Sequence, residues 1–503
     1  MSQPLARHRP APPVRLVHLG LGNFFRAHAA WYTAHAPDAA EHGYAAFSGR
    51  SAALAEALER QGGRYTLVTR GATDAFEVVD AVAEAYPGSD DAAWRRRWRD
   101  PALQAVTVTV TEAGHHLDPA GRLRQGDPDL DDDVAALRRS PEGPARTAPG
   151  RLLAGLAARA AAGAPPVALV ACDNLPSNGA VLAGAVRQLA ERVDARRAAA
   201  LVALLVPVTT VVDRITPAAT DADRRLVAAA TGADDAAPVV TEPFAEWVLA
   251  GDFPAGRPSW EAAGARLVDD VRPYATRKLL LLNGGHSLLA YAGGLLGHRQ
   301  IDEAVADERC QEWLEQWWDE AATVLAGGPG GPAGPGGPGG PGGPGGAGGP
   351  AGQGSAASAG GVDAGAGDPL GESDLAAYRA TLLGRFANVR LADRLERIAA
   401  DGTDKLRVRV VPVLAAARAG RRLPPGVVRL VAAWLCHLDG LGAPVRDARA
   451  GDLPVGAGHG PEAARRALAA LDPPLADDTE LAAAVAAEAA ALAALAAASG
   501  TGR

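Results

Sequence analysis

Through its first half the chain alternates short apolar runs rich in Val, Thr and aromatic residues with longer segments of helical periodicity. No other feature constrains the fold as much. LVHLG, YAAFS, YTLVTR, FEVVDAV, AVTVTVTE, PVALVACDN and ALLVPVTTVVD read as strands, and AALAEALER, DDAAWRRRWRD and AVLAGAVRQLAERV read as helices between them. A strand followed by a helix and another strand returns parallel to the first, so the expected class is α/β: an N-terminal Rossmann-like doubly wound domain. From about Val268 strand signals give way to helical ones, as in DERCQEWLEQWWDEAATVLA, DLAAYRATLLGRF, VRLADRLERIAA and PEAARRALAAL. A mostly α-helical C-terminal domain is expected there. The predicted division is a disordered tail over 1–13, a doubly wound domain over 14–267 and a helical domain over 268–503.

One stretch obeys neither pattern. Over 327–369 the sequence is dominated by Gly, Pro and Ala, with glycine at every third position through much of it. A Gly-x-y run invokes collagen, but the third position is mostly glycine again, so a flexible, solvated insert is expected. Such a segment buries too little apolar surface to offset its ordering entropy.

Composition narrows the function classes. With 503 residues and 48% hydrophobic content, the chain can form more than one buried core. A formal net charge of -8 argues against a nucleic-acid backbone as partner. Cys172, Cys310 and Cys436 match no disulfide or zinc spacing and suit a reducing cytoplasm as small buried hydrophobes. The N-terminal MSQPLARHRPAPP lacks the apolar stretch of a secretion signal. The Ala-rich end is interrupted by Glu488 and reads as a packed C-terminal helix rather than a membrane span. A cytoplasmic enzyme, monomeric or weakly oligomeric, is the expectation.

Two motifs carry chemistry. After the first strand come Gly20, Gly22, Asn23, Phe24 and Arg26, a turn that lets a pyrophosphate approach the backbone at a helix N-terminus. Phe25 stands where the usual fingerprint has its third glycine, so a purely structural turn is also open. The second motif, RKLLLLNGGHSLLAY, sets Lys278, Asn283 and His286 in an otherwise apolar or small-residue run. On an α-helix Asn283 and His286 share a face, with Lys278 about 80° round from His286 at roughly 100° per residue. Burial disfavours an ammonium, making Lys278 a candidate general base. The bland reading is a snorkelling lysine, a capping asparagine and a satisfied core histidine. No His/Cys cluster offers zinc ligands; His115 and His116 stand together in an expected exposed loop after the fifth strand. No metal is therefore expected. Asn174 and Asp213 each end a strand, where open α/β sheets place ligands.

The opening GLGNFFRAH, ACDNLPSNG, VVDRITPA, TEPFAEWV, the Lys278/Asn283/His286 motif and DGTDK, in that order, resemble the mannitol dehydrogenase family of polyol-specific long-chain dehydrogenases. The resemblance covers nearly the whole chain outside the insert. It is nearest the mannitol 2-dehydrogenase and fructuronate reductase branch. It implies a metal-independent oxidoreductase moving a hydride between NAD and a secondary alcohol of a polyol or sugar acid. It further implies that Lys278 is the base, that Asn174 and Asn283 polarise the reacting oxygen, and that His286 bonds a neighbouring hydroxyl. Arg385 and Lys405 are implied as substrate contacts, although either could be an ordinary surface cation; Asp213, at its strand end, could orient the lysine or bind a substrate hydroxyl, or serve as a salt bridge to Arg214 or a helix cap.

Two departures stand out. The family's pattern has a glutamate three residues before the lysine, where this chain has Ala275; Glu112, expected among the cofactor-binding residues, becomes the carboxylate to consider for proton exit. The second strand ends AAFSGRS, with no acid for the adenosine ribose, and Arg50 could meet a 2′-phosphate. NADP is thus an open alternative, with Ser48 as the position where an aspartate would favour NAD. A sugar-phosphate dehydrogenase of the mannitol 1-phosphate type and a non-catalytic cofactor-binding sensor are the competing functions.

Overall fold

The computed structural model describes residues 3–49, 51–326, 369–391 and 393–498. Arg50 and nearly all of the Gly/Pro-rich insert lie outside the described residues. Two compact units divide the chain between Val271 and Arg272.

The N-terminal unit is built on an eight-stranded sheet. Its strands are β1 (Val14–Leu19), β2 (Gly43–Phe47), β3 (Val82–Tyr86), β4 (Ala105–Val108), β5 (Val167–Ala171), β6 (Leu205–Asp213), β7 (Glu246–Ala250) and β8 (Arg266–Leu267). In space they run β8-β7-β6-β5-β4-β1-β2-β3, with β1 to β6 parallel and β7 antiparallel to β6. This is the doubly wound Rossmann arrangement read from the sequence. The strand order reverses between β1 and β4, and ligands of such sheets sit beyond the carboxyl ends at that switch point. Both faces are buried, as a parallel sheet requires. On β1, Leu16 packs with Phe25 and Tyr44 on one face, while Val17 and Leu19 pack with Trp94 and Trp98 on the other.

Two expectations are corrected here. YTLVTR and all but the end of FEVVDAV stay out of the large sheet: Tyr65–Arg70 and Asp74–Val79 form an antiparallel hairpin, extended by Val239–Thr241 into a three-stranded sheet. A three-residue connection favours local antiparallel pairing over a crossover. The N-terminal tail is also more ordered than expected. Gln3–Pro4 pairs with Ala233–Asp234, and the Arg7 guanidinium donates to the carbonyls of Gly62 (2.7 Å) and Val82 (3.0 Å).

Among the described residues of the second unit every helix or strand element is a helix, joined by loops and one isolated bridge, Gln300 to Arg394. Pro425–Leu438 is apolar and buried on nearly every side, and Thr479–Ala498 packs against it. Arg429 pairs with Glu488 at 2.7 Å, and the Cys436 thiol reaches the Ala489 carbonyl at 3.3 Å. By length and mean hydropathy Thr479–Ala498 could cross a membrane, the only such helix among the described residues. Its docked face and these bonds are those of a packed helix, which is the place the sequence gives it. All three cysteines are buried and free.

Candidate active site

In the N-terminal unit the glycine turn follows β1 directly. Gly20 has φ +107°, and a Cβ there would run into the Thr109 carbonyl, so only glycine fits. The Gly20 and Leu21 amides both donate to the Phe47 carbonyl at the end of β2 (3.0 and 2.9 Å). Helix α1 (Asn23–Ala27) then starts at Gly22 with no side-chain cap, leaving its first-turn amides available to an anion at the switch point. This fits the pyrophosphate of a dinucleotide. Phe25, in place of a third glycine, stacks on His18 with centroids 3.5 Å apart and planes 8° from parallel. His18 bridges Thr107 (2.8 Å) and Thr109 (3.0 Å), and the Thr109 hydroxyl donates to the Gly20 carbonyl (2.8 Å). Burial holds the His18 pKa down to about 3. The imidazole is therefore a neutral strut behind the loop.

Arg26 has a different place from the cofactor contact expected of it. It is 2% exposed, and donates to the carbonyls of Gly22 and Ala237 and to the Asn23 side chain (2.7 Å). Asn23 in turn donates to the Pro217 carbonyl at 3.4 Å. Both side chains shape the turn from within. Phe24 is half-buried and stacks on His28 at 4.8 Å. Glu112 is exposed in the turn after β4.

Asn174 is exposed in the loop after β5. That loop is organised by Asn178, whose amide donates to the carbonyls of Asp173 (2.9 Å) and Thr210 (3.1 Å) and accepts from the Thr210 amide (2.9 Å). The expectation of an exposed His115 is overturned: its ring is fully buried and bonded to Asp173 at 3.0 Å. His116 adopts a left-handed backbone and binds Asp127 at 2.8 Å. With Asp129 these two form the one His/Cys/Asp/Glu group of metal-binding size among the described residues. Asp127 already caps a helix and lies 3.6 Å from Arg124, a cation that opposes an ion there. Asp213 is buried at the end of β6, in register with Glu246 of β7. Arg214 donates to the carbonyls of Ala27 and Glu242 and lies over the Trp31 ring at 4.6 Å.

In the helical unit, Lys278 opens a π-helical turn, Lys278–Asn283, that continues from α2 (Arg272–Arg277) into α3 (Gly284–Leu288). The α-helical spacing assumed from the sequence is thus corrected. In a π turn the ladder closes five residues on, which draws Lys278 and Asn283 toward one face where an α-helix would splay them. The cause lies in α4 (Glu308–Ala326). Its Trp317 and Trp318 indoles donate to the carbonyls of Leu280 and Leu281, each at 2.9 Å, from within the turn. Gly284 and Gly285 permit this approach, since a Cβ on Gly284 would enter the Trp317 ring. From the other side Arg409 donates to the Asn283 carbonyl (3.0 Å) and the Ser287 hydroxyl (2.8 Å).

His286 follows on α3, its ring edge-to-face with Phe386 at 4.7 Å. Arg385, beside Phe386 at the end of α5 (Glu372–Phe386), is 7% exposed. The structure thus brings Lys278, Asn283, His286 and Arg385 into neighbouring elements. The Lys405 ammonium donates to the carbonyls of Ile398 (3.0 Å) and Ala400 (2.5 Å), closing the end of the helix Leu395–Ala399. Burial, with the nearby Arg409 charge, lowers its pKa. The supporting Trp317, Trp318 and Arg409 had no local signature, because each acts on carbonyls far off in sequence.

Comparison with known proteins agrees with this architecture. The mannitol dehydrogenase Rossmann domain matches residues 14–262, and the mannitol dehydrogenase C-terminal domain matches residues 270–328 and 366–487. The chain is 35% identical over 436 residues to a D-arabinitol 4-dehydrogenase of Ralstonia nicotianae, covering 84% of this chain and 83% of that one. It is 32% identical over 426 residues to a mannitol 2-dehydrogenase of Cereibacter sphaeroides, covering 83% and 80%. Among solved structures, the Pseudomonas fluorescens mannitol 2-dehydrogenase in ternary complex with NAD and D-mannitol superposes with a TM-score of 0.71 at 29% identity, covering 96% of this chain and 92% of that one. The chain therefore belongs to the mannitol dehydrogenase family of oxidoreductases.

Proposed function

We propose that this protein catalyses the reversible oxidation of a secondary alcohol in a polyol or sugar acid, of the mannitol/fructose or mannonate/fructuronate type, with NAD as cofactor. The observation that carries the reading is the π turn that sets Lys278 and Asn283 toward one face, held by Trp317, Trp318 and Arg409. Single π turns within α-helices are found frequently at functional sites.

Gly20, Gly22 and the first turn of α1 would hold the pyrophosphate. Bound nicotinamide supplies the hydride acceptor. Lys278 removes the hydroxyl proton, acting as the general base of the step. Asn174 and Asn283 donate to the oxygen as negative charge develops on it; neutral amides do so without competing for the proton. His286 and Arg385 hold further hydroxyl or carboxylate oxygens, and Asp213 accepts from a substrate hydroxyl.

The test is a spectrophotometric screen of the full chain with NADH and NADPH against fructose, fructuronate, tagaturonate and fructose 6-phosphate, repeated with Lys278→Ala. Turnover of a ketose or keto-acid is expected with the wild type, falling about 10²–10⁴-fold in the variant. A variant retaining more than about a tenth of wild-type activity rejects Lys278 as base.

NADP as cofactor is the second reading. What favours it is the end of β2, where the acid expected of an NAD site is replaced by Ser48, 2% exposed, its hydroxyl accepting from the Gly88 amide at 3.1 Å.

A further inference from the structure

The buried contact between His115 and Asp173 has no part in the chemistry above, yet it adjoins the loop that presents Asn174. Three bonds fix Asp173. Its Oδ1 accepts from the Leu175 amide at 2.9 Å, closing a turn over Asn174, and its carbonyl accepts from the Asn178 side chain at 2.9 Å. Both partners belong to the same loop and its helix. The third bond comes from elsewhere: His115, 58 residues earlier and after β4, meets Oδ2 through Nε2 at 3.0 Å. A carboxylate oxygen offers only lone pairs, so Nε2 carries the hydrogen.

The other ring nitrogen, Nδ1, is buried without a hydrogen-bond partner. Such a group costs about 1–3 kcal/mol against a satisfied one. An apolar side chain would fill the same space without that cost. The imidazole is explained by the one bond it makes, which locks the carboxylate that shapes the turn carrying Asn174.

We propose that His115 positions Asn174 by clamping Asp173, making the pair a positioning dyad for the oxygen-polarising amide; this rests on the role given to Asn174 above. With the clamp removed, the Asp173 carboxylate is free to rotate toward water and the turn over Asn174 loosens. A displacement of about 1 Å at a reacting centre costs on the order of 10²-fold in rate. Cofactor binding at the Gly20 turn is not touched.

The experiment uses the full chain and the substrate found in the screen above, comparing wild type with His115→Leu, His115→Gln, Asn174→Ala and the double variant His115→Leu/Asn174→Ala. In His115→Leu, kcat is expected to fall about 10–100-fold, with NADH Kd from fluorescence titration unchanged. His115→Gln, whose amide nitrogen reaches the place of Nε2, restores kcat to within about threefold of wild type. On the Asn174→Ala background His115→Leu adds no further loss, because the two changes remove one function. Should the leucine variant not fold, His115→Asn, a methylene short of Asp173, takes its place with the same expected loss. Wild-type kcat in His115→Leu, or a full multiplicative loss in the double variant, overturns the proposal. If Asn174→Ala itself matches wild type, the role of Asn174 fails and the dyad's role fails with it; if Asn174→Ala is impaired and His115→Leu is not, only the dyad is rejected.

Discussion

Trp317 donates its indole N–H to the Leu280 carbonyl at 2.9 Å, from 37 residues away, inside the turn that begins with Lys278. A carbonyl satisfied from outside is released from its place in the α ladder, and the chain accommodates an extra residue there. Trp317→Phe keeps most of the packing and deletes the donor. It is expected to cost about 1–3 kcal/mol, because a buried carbonyl loses its partner. The melting temperature should fall by roughly 2–10 °C, and kcat should drop with little change in cofactor affinity. Thermal melts and steady-state kinetics check both; an unchanged kcat would detach the turn's geometry from catalysis.

Arg409 works on the same turn from its opposite side. Burial lowers its pKa to about 10, so it remains a cation at neutral pH, donating to the Asn283 carbonyl and the Ser287 hydroxyl. Both bonds leave the one terminal nitrogen Nη1, so Arg409→Lys keeps the charge on a shorter side chain that lacks the rigid guanidinium plane, and Arg409→Met loses charge and donors alike. Activity is expected to fall in the order wild type, lysine, methionine, with the methionine variant lower by about tenfold or more. Equal activity in all three would show that the Asn283 backbone is held by the helix alone.

The legible parts of this protein were those written in local periodicity. Strand and helix alternation gave the doubly wound sheet because each period maps onto one face of one element, and the glycine turn declared itself because Gly20 sits where no Cβ fits. What escaped was pairing at a distance. The hairpin Tyr65–Arg70/Asp74–Val79 has the same strand pattern whichever sheet it joins. The π turn is imposed by indoles on another helix, and Leu280 to Leu282 read the same in either geometry. His115 looked like a loop residue until Asp173 supplied its partner. Lys405 carries the DGTDK motif, yet its ammonium serves the preceding helix end.

Cofactor choice can be moved at the end of β2, and the structure changes which residue to use. Ser48 is buried with its hydroxyl engaged, so Ser48→Asp would bury a charge and is expected to destabilise the fold rather than retune it. Gly49 is exposed, and a Cβ there meets nothing within 4 Å. Gly49→Asp should offer a carboxylate to ribose hydroxyls and repel a 2′-phosphate, raising the NADH over NADPH ratio of kcat/KM by about tenfold or more. Paired kinetics with both cofactors decide it. An unchanged ratio would place the selector elsewhere.

Acid should weaken the fold through two buried histidines. Burial lowers the pKa of His18 to about 3 and that of His437 to about 4. Both values lie below the ordinary histidine pKa of about 6.5, so the unfolded chain binds these protons first. Their stabilising effect is complete above pH ~6.5 and is lost as pH falls toward 4 and then 3. At pH 5 each contributes a loss on the order of 2 kcal/mol, from about 1.5 pH units below the unfolded pKa. His35, raised by its bond to Glu77, acts in the opposite sense, but it is well exposed and its share is small. The melting temperature is therefore expected to hold from pH 8 to about 6.5 and to fall from there to pH 5, and the fall should be shallower in His437→Gln, which cannot take up the proton. A variant whose pH profile parallels wild type would mean that His437 is not charged on unfolding in this range.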